Sequence, residues 1–334
     1  MRFVAKLIVL IVVFFIMSCN RNQEEVVVYT TVDQIFSEPI LKGFEKKTGI
    51  KVKVVYDTEE TKSTGVMNRI IAEKDNPQCD LFWSGDPMRT IVLKNKGILA
   101  TYQSNNASDI KDVFKDKDGF WTGFSARARV LVYNKSMVDD YEIPQSILDL
   151  SNSEYKAKVA IANPLFGTTT FHIAAIYSLL GDSAATEYLT DLKTNNIVIA
   201  TSNGDVMNRV ARGEVFCGLT DTDDANEALK EGENIGVVFL DQQGMGSLIV
   251  PNTVSIIKNS KNQENAKKIM DYLLSKETES RLAISCAQMP LHSGVDVPEG
   301  VPSLDGIIPM NINYEETSSI LKEIQNYLKE WVEN

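Results

Sequence analysis

Residues 24–57 read EEVVVYTTVDQIFSEPILKGFEKKTGIKVKVVYD. The first eight form an apolar run rich in valine, the pattern of a strand buried on both faces. The next stretch changes period. Ile35, Phe36, Ile40, Leu41 and Phe44 recur at helical spacing, and Gly49 supplies a stop. Residues 50–57 then alternate as a second strand. Strand, helix, strand with a crossover of this length predicts a parallel pair and, with repetition, an α/β fold.

The repetition follows on both sides of residue 120. STGVMNRIIAEKDN (63–76) reads as a helix opened by Ser/Thr caps, CDLFWSG (79–85) as a third strand and DPMRTIVLKNKG (86–97) as its helix. Further on, RARVLVYN (127–134), AKVAIANP (157–164), IVIATS (197–202), VFCGLTDT (215–222) and IGVVFLDQ (235–242) read as strands. Helices with threonine-rich or acidic starts lie between them. The helices after residue 262 have no strands of their own and are expected to return to the first unit. This predicts two α/β lobes, 25–125 plus 255–334 and 126–254, joined by two hinge crossings around a cleft.

The start of the chain is of another kind. Arg2 and Lys6 precede the apolar run LIVLIVVFFIM (7–17), then Ser18 and Cys19. A positive start and a short apolar core form a secretory signal over 1–18. The run is shorter than the roughly 20 apolar residues of a membrane span. IMSC resembles a bacterial lipoprotein processing box, which implies a lipid on Cys19, a tether over 19–24 and an exported protein held at a membrane surface. Of the remaining cysteines, Cys217 sits in an apolar run as a small hydrophobe. Whether Cys79 and Cys286 pair is left open, and no CxxC spacing marks a zinc site.

The chain has 334 residues and a formal net charge of −11, which argues against nucleic acid as a partner, since phosphate binding needs a basic face. GxxxxGK, GxSxG and HExxH are absent, so the expectation is a binding protein rather than an enzyme.

In open α/β sheets the ligand sits beyond the carboxyl ends of the strands. That rule selects Thr31 and Asp33 after the first strand, Ser84 and Asp86 after the third, and Thr61, Ser63 and Thr64 at a helix start. In the second unit it selects Thr168, Thr169 and Thr170, and then Asp221, Thr222, Asp223 and Asp224. Hydroxyls at helix N-termini suit anions. Carboxylates suit a hard cation, and equally the amine or hydroxyls of an organic ligand. Arg127 and Arg129 lie two apart on one strand and share a face. Each has a plainer reading: Asp33, Asp86 and Asp221–Asp224 are also good helix caps, His172 reads as a core residue, and His292 as a loop residue.

The stretches VVVYTTVD, CDLFWSGDP, GFSARARVLVYNK, VAIANPLFGTTTFH, ARGEVFCGLTDTDDA and MPLHSGV together resemble the periplasmic solute-binding proteins of ABC importers, in the ferric-iron-binding subgroup. The resemblance covers essentially the whole mature chain. It implies a type II periplasmic-binding-protein fold, no catalytic cofactor, and a monomer working with a membrane permease and an ATPase. It implies Arg127 on an anion, with ferric ion and a carbonate- or phosphate-like anion as cargo, for which Asp221, Asp223 and Asp224 would stand in as the metal's oxygen ligands. The subgroup often carries adjacent tyrosines where this chain has TDTDD, and a histidine near Asp33. That departure keeps a phosphorylated, phosphonate or zwitterionic ligand in view, as well as a surface lipoprotein without a transport role.

Overall fold

A computed structural model describes residues 24–57, 65–139 and 141–333. The signal and lipidation site at Cys19 and the turn holding Thr61, Ser63 and Thr64 lie outside the described residues. The first unit begins β1 (Glu25–Thr30), α1 (Gln34–Thr48), β2 (Lys51–Tyr56), α2 (Gly65–Ala72), β3 (Leu81–Ser84), α3 (Pro87–Asn95) and β4 (Leu99–Ala100). β1 lies between β2 and β3, parallel to both, as the buried valines predict. On α1, Ile40, Leu41 and Phe44 are buried while Ile35 is 75% exposed, so the apolar face is narrower than the spacing suggests. Gly49 ends the helix at φ 76°, its N–H donating to Glu45 O, a conformation that a Cβ would strain.

β5 (Thr122–Asn134) is longer than the segment seen in the sequence and serves both units. The later elements are β6 (Val159–Ala162), α4 (Gly167–Leu180), α5 (Asp182–Thr194), β7 (Val198–Ala200), α6 (Asn203–Ala211), β8 (Cys217–Asp221), α7 (Thr222–Glu231), β9 (Ile235–Val238) and β10 (Ile249–Ile257). The first half of β5 pairs antiparallel with β10, and its second half with β8 and β9. The strand order β2-β1-β3-β10-β5-β8-β6-β7 follows. The two crossings are thus adjacent strands. Their register shifts between Pro251 and Asn252, close to Ser125 at φ 43°. Such a bulge bends the ribbon.

Residues 263–285, an uninterrupted helix-like stretch in the sequence, form α8 (Gln263–Leu273) and most of α9 (Lys276–Cys286). Ser275 breaks the run by accepting a capping bond from Thr278 N. The buried carboxylate of Glu279 on α9 accepts from Ser125 N at 2.7 Å and from Leu291 N and His292 N at 2.9 Å each, tying α9 to the crossing strand. His292 is no idle loop residue: it is buried, its Nδ1 facing Asp109 and its Nε2 2.9 Å from Leu274 O.

The last helix, α10 (Tyr314–Glu333), departs from the expected placement with the first lobe. Its Ile324, Leu328 and Trp331 join the core of Ile173, Leu189 and Leu192 from α4 and α5. Trp331 Nε1 donates to Leu189 O at 2.8 Å. Its first turn faces the other way, with Tyr314 OH donating to Ile249 O and Glu315 paired to Lys94 on α3. The apolar stripe is longer than one unit can cover, so the helix straddles both. Cys79, Cys217 and Cys286 are buried free thiols. Cys79 and Cys286 lie in separate core clusters.

Candidate functional site

The site forms where β5 meets β8. Arg129 and Asp221 face each other directly across these strands, so their side chains leave the same face. Arg129 is fully buried and Asp221 nearly so. Arg129 Nη1 donates to Asp221 Oδ1 at 2.8 Å, Asn203 Oδ1 at 3.1 Å and Thr168 Oγ1 at 3.2 Å. Its Nη2 reaches Thr169 Oγ1 at 3.5 Å. The second oxygen of Asp221 accepts from Thr168 Oγ1 at 2.9 Å and Asn203 Nδ2 at 3.1 Å. A buried ion pair survives only with such bonds around it.

Arg127, two residues earlier, sits on the same face but nearer the surface. Its Nη2 donates to Gly85 O at 2.8 Å. Its Nη1 lies 3.5 Å from Asp221 Oδ2 and 3.8 Å from Asp223 Oδ2. One guanidinium therefore touches the β3–α3 turn of the first unit and the acidic turn of the second. Burial works against its charge, but Asp223, Asp221 and Asp224 together hold its pKa above the ordinary value.

Oxygens of Asp221, Asp223 and Asp224 lie within 4.8 Å of one another. Asp223 keeps Oδ1 buried without a hydrogen-bond partner among the described residues, and Asp224 accepts from Thr220 Oγ1 at 3.0 Å. Burial, opposed by Arg127 and reinforced by the neighbouring carboxylates, pushes Asp223 up to about 7. Burial and the charge of Asp221 push Asp224 up to about 6. Three carboxylates in one turn cannot all hold charge at low cost, and a cation would relieve them.

The other candidates divide. Thr222 Oγ1 accepts from Ala128 N at 3.1 Å and pins the acidic turn to β5. Thr170 Oγ1 is buried with no hydrogen-bond partner among the described residues. Thr31 Oγ1 accepts from Gly85 N at 2.9 Å, steadying the turn that Arg127 touches. Ser84 Oγ accepts from Asp86 N at 3.4 Å. Asp86 caps α3 through Met88 N and Arg89 N and pairs with Arg89, so its plain reading as a cap is the one the bonds favour. Burial lowers the Arg89 pKa to about 9, with Asp57 opposing and Arg127 adding to the fall. Asp33 is exposed at the start of α1 and accepts no capping bond. His172 is buried in α4 with neither ring nitrogen bonded. Burial first, then Arg129, drives its pKa far down, so it is neutral.

Asn203 was not among the residues selected from the sequence. It opens α6 just after β7, and the strand-end rule applied to that strand would have found it.

Fold and site together describe a solute-binding protein: two α/β units on a shared strand pair, with charged and hydroxyl side chains gathered where the units meet. The family model for bacterial extracellular solute-binding proteins matches residues 40–296, and the chain belongs to that family. It is 26% identical over 294 residues to iron uptake protein A1 of Synechocystis, covering 84% of this chain and 80% of that one. It is 23% identical over 332 residues to a putative 2-aminoethylphosphonate-binding periplasmic protein of Salmonella typhimurium, covering 96% and 92%. The iron-bound HitA structure from Pseudomonas aeruginosa superposes with a TM-score of 0.81 at 23% identity, covering 91% of this chain and 99% of that one. That last likeness establishes the two-lobed fold.

Proposed function

We propose that this chain captures ferric ion with a companion anion and delivers it to an ABC permease and its ATPase. The observation that carries this reading is the turn of Asp221, Asp223 and Asp224, whose clustered oxygens suit a hard trivalent cation. Asp86 and Arg89 cancel as a pair. Among the described residues, three carboxylates then face Arg127 and Arg129, an excess of negative charge that ferric ion with a dianion would balance. Asp223 and Asp224 are the cargo ligands, and Arg127 turns to the anion. Relatives named for iron uptake or ferric-iron binding support the choice. Metal analysis of the purified mature protein should find stoichiometric iron, lost in Asp223→Ala. An iron-free wild type that keeps an organic phosphate in native mass spectrometry would end the reading.

That second outcome has its own support. Arg127 lies against the carboxylates rather than apart from them, an arrangement that also fits a zwitterion with its cation on Asp223 and its phosphonate on Arg127. The 2-aminoethylphosphonate-binding relative is named for such a ligand. In either case the protein is a monomeric, non-catalytic carrier, exported and held to a membrane by lipid on Cys19. Cys19→Ala should release it from the membrane fraction.

A further inference from the structure

The donors around Asp221 form a cradle of a recognisable kind. Thr168 and Thr169 stand in the first turn of α4, and Asn203 opens α6. Two helix N-termini and a buried guanidinium converge there, the combination that holds oxyanions. Thr168 Oγ1, Asn203 Nδ2 and Arg129 Nη1 all point at one carboxylate, that of Asp221. With Arg127 Nη1 also 3.5 Å away, its oxygens have four donors about them, which is the acceptor capacity of a carboxylate. A second sign of an anion site is on the same guanidinium: among the described residues, Arg129 Nε is buried and unpartnered.

We propose that Asp221 is a specificity-determining residue that fills this oxyanion cradle with its own carboxylate. It thereby bars free tetrahedral oxyanions, inorganic phosphate and sulfate, from the second unit. Any anion that travels with the cargo is then confined to Arg127, on the outer side of the acidic turn. A bound phosphate would have to share the cradle with a fixed negative charge a few ångströms away, which is strongly unfavourable in a partly buried site. These contacts lie within the second unit and hold whether or not the cargo is iron.

The test is chemical rescue with inorganic phosphate, without metal, on the mature protein. Asp221→Ala leaves Arg129 buried and unpaired, so its melting temperature should fall in an uncharged buffer. Millimolar phosphate should then restore it, by about 5 °C at a hundredfold excess over Kd. Titration calorimetry should show phosphate binding at least tenfold tighter than in wild type. Asp221→Asn keeps the side-chain shape but removes the charge, and should show a smaller gain in the same direction if the alanine variant fails to fold. Folded variants with no gain in phosphate affinity overturn the proposal. So does a phosphate-soaked crystal of the wild type with the anion between Thr168, Asn203 and Arg129. Because iron is absent throughout, failure here leaves the ferric reading standing, and an iron-free wild type leaves this one standing.

Discussion

Asp223 and Asp224 differ from ordinary surface carboxylates because their pKa values are raised together, first by burial. They titrate as a unit. An acid whose folded pKa lies above its unfolded value of about 3.9 takes up protons on folding. It favours the folded state at low pH, and that contribution is lost as pH rises through about 7. The melting temperature of the metal-free protein should therefore rise on acidification from about pH 8 to about pH 5, and Asp223→Asn should flatten the slope. Cargo binding runs the other way. A ferric ion must displace those protons, so its affinity should fall as pH drops below about 7, measurable by competition with a chelator. At this scale the sequence was readable in part. It placed the acidic turn, the arginine pair and the threonines, since all follow from strand ends and period. It gave no sign that Asp221 pairs with Arg129, because that depends on cross-strand register between residues 92 positions apart. The cap role of Asp86 and the exposure of Asp33 depend in the same way on local turn geometry.

Among the elements, α9 and α10 carry the clearest tests. Glu279 gives its buried carboxylate to three backbone N–H groups on two segments. Glu279→Ala orphans all three, and urea unfolding should show a loss of roughly 3 kcal/mol or more. Trp331 fills the seam between α10 and α5, with its indole N–H bonded. Trp331→Ala should cost about 3–5 kcal/mol without changing the spectrum of bound cargo. The split of residues 263–285 into two helices was within reach of the sequence, since Ser275 precedes Lys276 and Glu277 as a cap does. The straddling of α10 was not. Its amphipathic stripe says that one face is buried, but not that two different cores bury it.

For the whole molecule, the α/β rhythm and the two crossings could be read from periodicity because each strand or helix carries its own pattern. Their adjacency could not, since pairing is a long-range property. Cargo that touches both the Gly85 turn and the acidic turn should favour the closed arrangement of the units. Small-angle scattering should show a smaller radius of gyration when ferric citrate is added, and an unchanged curve would count against closure.

The bulge at Ser125 has a mechanical meaning. Two antiparallel strands with one interruption behave like a leaf spring clamped at both ends, so bending concentrates in the few dihedrals around Ser125 and Asn252. A serine at φ 43° is already deflected. Were one half to swing against the other, the bend would fall first on this interruption.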